Sequence, residues 1–173
     1  FPLVLFAVGT AGAAADPPAF IRGLALICSS PSILLHDYIA IGGFAPAMFN
    51  AGTLGLLSVL LLQVLGIGLS GPFFAAVCTV TGFAFFGKNL ANVWPILLGV
   101  FLYSRVQKAS FRNFALVALF GTTLAPLSSA IAFGGWMEGL PAFALALAFG
   151  IAAGFVLPPL ASHMLRFHDG YNI

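Results

Sequence analysis

The 173-residue chain contains very little charge. Only 6% of its residues are Asp, Glu, Lys or Arg, whereas soluble domains average about 25%. Hydrophobic residues make up 61% of the chain, and the mean hydropathy is +1.12. This composition excludes a soluble globular domain and predicts an integral membrane protein. The net charge of +2 is spread over few residues, so we do not expect nucleic acid as a partner.

Cysteines and catalytic motifs are also scarce. The two cysteines, Cys28 and Cys78, lie inside apolar runs, without the spacing of a metal site or a disulfide framework. No Gly-x-Ser-x-Gly, His-Glu-x-x-His or Walker pattern is present. We therefore expect no metal, no cofactor and no catalytic residue, and we predict that the protein is not an enzyme.

Long apolar runs without strict polar alternation predict an all-α, polytopic membrane protein and not a barrel. We expect a single transmembrane domain over 1–173, and we interpret it as a piece of a longer protein because a second copy of one motif opens near its end. Pro, Gly or polar residues interrupt the apolar runs. The expected crossings are 1–15, 19–35, 53–69, 73–86, 90–103, 114–133 and 140–157.

Residues 39–49 form an apolar run that is too short to cross, because a transmembrane helix needs about 20 residues. A polar corner, His36-Asp37, precedes the run, Asn50 follows it, and Gly42, Gly43 and Pro46 interrupt it. The pattern predicts a re-entrant or broken helix in this stretch.

The His-Asp dipeptide occurs twice, each time six residues after a serine: His36-Asp37 follows Ser30, and His168-Asp169 follows Ser162. We interpret this as an internal duplication whose second copy begins near residue 162. Five expected crossings separate the two pairs, and an odd number makes the repeat inverted, as in many transporters. The pairs would then be motif or gating residues. The alternative is that both are independent loop corners at the membrane interface.

Half of the six Lys and Arg residues lie in the loop 104–113. Positively charged loops are retained in the cytoplasm. We therefore expect the cell (inner) membrane of a bacterium, with this loop on the cytoplasmic side.

Polar side chains inside membrane segments are costly and often mark a solute pathway. The candidates here are Asn50, Thr53, Asn89, Asn92, Thr122, Thr123, Ser128 and Ser129. Other interpretations stay open. Asn50 could cap the helix 53–69, Lys88 could snorkel from an interfacial loop, and the hydroxyl groups could bond between helices.

Three short runs resemble one family. They are Asp37 to Gly43, the Gly-Lys-Asn at 87–89, and His168 to Asn172. In these runs the chain is similar to bacterial multi-pass membrane proteins known as domain of unknown function family 1576, and the resemblance implies the first half of a member. The order of segments is more weakly similar to urea transporters, but the Asn-Asn-Pro signature is missing at 49–51. No selectivity residues are carried over.

These observations together predict one half of an inverted-repeat channel or transporter for a small solute. The expected partners are the lipid bilayer, the second half of the same protein, a small solute and, as an option, further copies of the chain. A membrane scaffold or accessory subunit is the alternative, and a membrane-embedded enzyme comes third.

Overall fold

The computed structural model describes residues 1–32 and 36–167, with side-chain surroundings up to residue 163. This part of the chain is helical and contains no strand, which confirms the predicted all-α class. Its α-helices are α1 (Pro2–Ala15), α2 (Pro17–Ser29), α3 (Tyr38–Gly42), α4 (Phe44–Val64), α5 (Gly71–Phe83), α6 (Trp94–Val106), α7 (Ala115–Gly121), α8 (Ala125–Phe133) and α9 (Leu140–Phe167).

Three helical segments are long and apolar enough to cross a membrane. They are Phe44–Val64, Phe111–Phe133 and Leu140–His163, of 21, 23 and 24 residues. The second combines α7 and α8 with two 3-10 turns, Phe111–Phe114 and Thr122–Leu124. The chain is therefore a polytopic membrane protein. The helices α1, α2, α5 and α6 are apolar but shorter.

The first crossing, α4, is packed closely against α1. Gly52 of α4 lies against the backbone of Phe6, and Gly9 of α1 lies against Phe49, whose backbone nitrogen is 2.5 Å from where a Cβ of Gly9 would be. Small residues of this kind let helix backbones approach in membranes, where lipid offers no hydrophobic driving force for association. On the side of α4 that faces α1, the two helix backbones are therefore in close contact.

The start of α4 differs from the prediction. Residues 39–49 do not form one separate dip, because α3 ends at Gly42 and residues 44–49 are the first turns of α4. The break falls at Gly43, whose φ of 90° is a conformation that L side chains rarely adopt. The crossing expected over 53–69 thus begins at Phe44 and ends at Val64.

The segment expected to cross over 19–35 also ends early. Helix α2 begins at Pro17, where the Asp16 side chain accepts a hydrogen bond from the Ala19 amide at 3.1 Å, and it ends at Ser29. Ser30 precedes Pro31 and is extended, with ψ of 134°, because a residue before proline disfavours the helical conformation. Residues 33–35 lie outside the described residues.

The two segments expected to cross over 73–86 and 90–103 are the short helices α5 and α6, which we call the α5–α6 hairpin because their outer ends lie near each other, although each helix packs mainly on other helices. Helices α5 and α6 have 13 residues each, which is roughly 20 Å at 1.5 Å per residue, while a hydrocarbon core is about 30 Å thick. The base of the hairpin lies at the C-terminal end of α4, since Arg112, shortly after α6, donates to the Gly66 carbonyl at 2.9 Å. Most of its turn, 84–93, is buried, and Phe86 and Ala91 are exposed.

The last helix continues further than expected. The sequence places its end before Pro158-Pro159, but α9 runs through both prolines to Phe167. Transmembrane helices tolerate proline when their surroundings satisfy the freed backbone groups. Residue 162, the expected start of the second repeat, lies within this helix, and His168 and Asp169 are outside the described residues.

Candidate functional site

The turn of the α5–α6 hairpin is the most polar buried place that the structure describes. Lys88 and Asn89 have no exposed surface, and Asn92 is 5% exposed. The turn packs against Asn50 in α4 and Ser129 in α8. Both contacts lie inside segments long enough to cross the membrane, so the turn sits at membrane depth, within protein. Irregular backbone is tolerated at that depth only when protein or a water-filled cavity surrounds it.

Asn50 joins α4 to this turn. Its Nδ2 donates to the carbonyls of Ala84 at 2.8 Å and Lys88 at 2.9 Å, and its Oδ1 accepts from the Leu90 amide at 3.1 Å. Asn50 is seven residues into a helix, so it does not cap one. Its amide instead satisfies two carbonyls and one amide in a turn that has no helical partners for them.

Asn89 holds the other side of the turn. Its Nδ2 donates to the Ile27 carbonyl at 3.1 Å and to the Tyr38 hydroxyl at 3.0 Å, and its Oδ1 accepts from the amides of Ala91 and Asn92, each at 2.9 Å. Ile27 is in the last turn of α2, where carbonyls lack intrahelical partners. Asn89 therefore ties the end of α2 to the hairpin.

Asn92 connects the turn to α8. Its Nδ2 donates to the Gly87 carbonyl at 2.8 Å and to the Ser129 hydroxyl at 2.9 Å, and its Oδ1 accepts from the Asn89 amide at 2.9 Å. The three asparagines and the side chains bonded to them form what we call the tip cluster. Ser32 is included because its hydroxyl lies 2.9 Å from the Tyr38 hydroxyl. The members of the tip cluster are Ser32, Tyr38, Asn50, Asn89, Asn92 and Ser129.

Lys88 is the exception among these saturated groups. Its side chain has no exposed surface, and its Nζ has no hydrogen-bond partner. Nζ lies over the ring of Phe83, 5.3 Å from its centroid. The sequence-based alternative that Lys88 snorkels from an interfacial loop does not fit this burial.

Four of the eight candidate pathway residues meet in the tip cluster, namely Asn50, Asn89, Asn92 and Ser129. The others lie apart. Thr122 and Thr123 donate to the carbonyls of Leu119 and Phe120, at 2.6 and 2.8 Å, within their own helix. Such back-bonding is the ordinary use of a threonine in a membrane helix.

Thr53 and Ser128 each keep a buried hydroxyl without a partner. Thr53 lines an apolar cavity of about 500 Å³ with Phe6 and Gln63. Ser128 is next to Gly150 of α9 and is not among the residues that line this cavity. The two hydroxyls therefore do not share one cavity.

The first His-Asp corner lies next to the turn. The Asp37 side chain accepts from the amides of Ile39 at 2.9 Å and Ala40 at 3.2 Å, which caps α3. The His36 amide donates to the Phe86 carbonyl at 3.4 Å. Its partner in sequence, His168-Asp169, lies outside the described residues.

A larger apolar cavity, of about 660 Å³, lies between α4 and α6. Trp94 and Thr122 line it near the turn, and Phe101 and Phe111 line it near the base of the hairpin. Among the residues that the structure describes, no group of three or more His, Cys, Asp or Glu side chains comes together.

Sequence reasoning did not name Tyr38 or Ser32 as site residues, and it did not predict the burial of Lys88. The Ser32 and Tyr38 hydroxyls are 2.9 Å apart and meet Asn89. A sequence signal for Lys88 was present, because the apolar runs on both sides of Gly87-Lys88-Asn89 are too short to cross and so place this lysine inside the membrane.

Comparison with known families agrees with this fold. A family model described as "Protein of unknown function (DUF1576)" matches residues 16–173. The chain therefore belongs to this family, as its short motifs led us to expect. No curated protein and no solved structure matches the chain.

Proposed function

We propose that this member of the DUF1576 family is a channel or transporter for a small solute, and that the turn of the α5–α6 hairpin lies on the solute pathway. The observation that carries the proposal is a polar, non-helical turn held at membrane depth by two short helices. In transporters, discontinuous helices of this kind form the substrate site near the middle of the bilayer.

The proposal includes the inverted duplication. Treating α5 and α6 as a hairpin removes two of the five crossings between the His-Asp pairs, and three remain: α4, the 111–133 segment and α9. The number is still odd, so the second copy would have the opposite orientation. We propose that this second half supplies the other wall of the pathway.

The orientation belongs to the same proposal. Arg105, Lys108 and Arg112 all lie at the base of the hairpin and are exposed, so the positive-inside rule puts the base in the cytoplasm of the cell (inner) membrane. The hairpin would then enter the membrane from the cytoplasmic side. Labelling of Lys108→Cys by a membrane-impermeant maleimide, expected only after the cells are opened, tests this.

Transport is tested with the full-length protein in proteoliposomes. We expect vesicles that contain the protein to take up at least one small solute, neutral or anionic, faster than empty vesicles in a stopped-flow shrinkage assay. Asn92→Ala should slow that uptake, because it releases the turn from Ser129 and Gly87. The matched control is Asn113→Ala, which alters an exposed asparagine in the cytoplasmic loop. Equal rates in empty and protein-containing vesicles across the panel would contradict the proposal.

A membrane scaffold is the second candidate, and the contacts of Asn50 favour it. All three bonds of Asn50 go to backbone groups, which is what a purely structural asparagine would show. A scaffold predicts no uptake of any solute and the same thermal stability in every solute.

We place no catalytic step in this protein. The Asp37 carboxylate is exposed and is used by the amides at the start of α3, and neighbouring side chains in sequence do not form the oriented dyad of a hydrolase.

A further inference from the structure

Lys88 is a buried lysine, and no acidic side chain pairs with it among the described residues. Of the four acidic residues, Asp16, Asp37 and Glu138 are described, and all three are exposed. Asp16 and Asp37 already accept hydrogen bonds from helix amides. The ring of Phe83 can attract the charge, but a ring does not accept the three N–H bonds that an ammonium group donates.

The polar groups around Lys88 already have hydrogen-bond partners, so they are not free to reorient and accept hydrogen bonds from its Nζ. Its own amide donates to the Phe83 carbonyl at 3.1 Å, and its carbonyl accepts from Asn50 at 2.9 Å. The side-chain oxygens of Asn50, Asn89 and Asn92 each already accept at least one hydrogen bond from a backbone amide of the turn. The hydrogen bonds thus hold the turn in one conformation, in which the Lys88 Nζ has no hydrogen-bond acceptor.

We propose that the Lys88 ammonium group binds a small monovalent anion at the turn of the hairpin. An isolated charge at membrane depth is costly and is usually paired, and one anion would supply both the counter-charge and the missing acceptors. The anion is small because Nζ is enclosed, and monovalent because the site offers a single charge. This inference rests on the proposed transport function and names its substrate class.

The experiment uses the full-length protein in detergent, with sodium chloride and sodium formate as probes and sodium gluconate at equal ionic strength as the reference. A ligand that binds only the folded state raises the melting temperature. We expect chloride or formate to raise it by about 2–4 °C over gluconate. Lys88→Met should abolish the shift, and Lys108→Met, which removes an exposed charge from the cytoplasmic loop, should keep it.

Stability in gluconate is a second readout. Replacing an uncompensated buried charge by an apolar side chain of similar length is neutral or stabilising. Lys88→Met should therefore melt in gluconate no lower than the unaltered protein. If the variant unfolds or melts lower, Lys88 is an internal structural contact and the anion site is wrong. A shift that persists in Lys88→Met, or no shift in the unaltered protein, also overturns the proposal.

The outcomes for binding and for transport can be told apart. A shift that depends on Lys88, without uptake by vesicles, retains anion binding at Lys88 but rejects transport and the role of the anion as its substrate. Uptake of neutral solutes by a protein with no anion-dependent shift retains transport and rejects the anion site.

Discussion

Helix α4 and the α5–α6 hairpin are built from similar apolar sequence but occupy the membrane differently. Helix α4 runs 21 residues and carries Asn50 within it without interruption. The hairpin divides a stretch of greater total length into two helices of 13 residues around a polar turn. The comparison teaches that the number of residues between helix breaks decides whether an apolar run can cross the membrane. A 13-residue helix is too short to reach through the hydrocarbon core.

The two faces of α4 also differ in the interactions that hold them to their neighbours. On one side, α4 meets α1 through glycines, so the contact is made of dispersion between closely spaced backbones. On its other side, α4 meets the hairpin through apolar side chains such as Leu54 and Val80 and, in addition, through the three hydrogen bonds of Asn50. A substitution on one side should therefore leave the other contact intact.

The largest effect should come from breaking the polar side. Asn50→Ala removes three hydrogen bonds and leaves two carbonyls and one amide without partners, each of which costs roughly 1 kcal/mol or more. We expect the free energy of unfolding to fall by about 2–4 kcal/mol, measured by denaturant titration in detergent. Asn113→Ala, at an exposed site, should change it by less than about 0.5 kcal/mol, and an equal loss in both variants would contradict the role of Asn50.

The next effect tests the glycine side. A Cβ at Gly52 would overlap the backbone of Phe6, so Gly52→Ala must push α1 away from α4 and should cost about 1–3 kcal/mol. Gly82, inside α5, has nothing within 4 Å of its Cβ position, and Gly82→Ala should be neutral or stabilising by up to about 1 kcal/mol. Equal melting temperatures for the two variants would show that the α1–α4 contact is looser than described.

A smaller effect is expected at the break before α4. Asp37→Ala removes the side chain that caps α3, which typically costs about 1 kcal/mol. Asp37→Asn should restore most of the loss, because asparagine caps helices as well as aspartate does. If Asp37→Asn lowers the free energy of unfolding as much as Asp37→Ala does, the carboxylate charge has a further role in this corner.

The smallest effect is expected at the base of the hairpin. Arg112→Met removes the exposed hydrogen bond to the Gly66 carbonyl, and exposed contacts of this kind contribute about 0–1 kcal/mol. We expect the melting temperature to change little, while hydrogen exchange of the amides in residues 65–70 becomes faster. Unchanged exchange there would show that the loop does not hold the end of α4.

The class of fold could be predicted from the sequence because it depends only on composition and run length. The expected bounds 1–15 and 114–133 also lie close to the observed helices Pro2–Ala15 and Phe111–Phe133. Pro, Gly and charged residues mark these helix ends in the sequence. The sequence also drew attention to Asn50, Asn89 and Asn92 as polar groups in apolar surroundings.

The rest depends on contacts between distant residues. The partners of Asn50 lie 34 to 40 residues away, so its use as a link to the hairpin could not be read locally. The hairpin was predicted as two crossings because each apolar run was judged alone. Pro158-Pro159 was predicted to end a helix that in fact continues, because local propensity yields to the surroundings in a membrane.

The bond between Asn92 and Ser129 has a consequence for how the protein is made. The hairpin ends at Val106, 23 residues before Ser129, yet its polar turn reaches full hydrogen bonding only when α8 arrives. A nascent chain that stops between the two should therefore leave the hairpin exposed to membrane chaperones. Insertion of α8 would be the step that secures it.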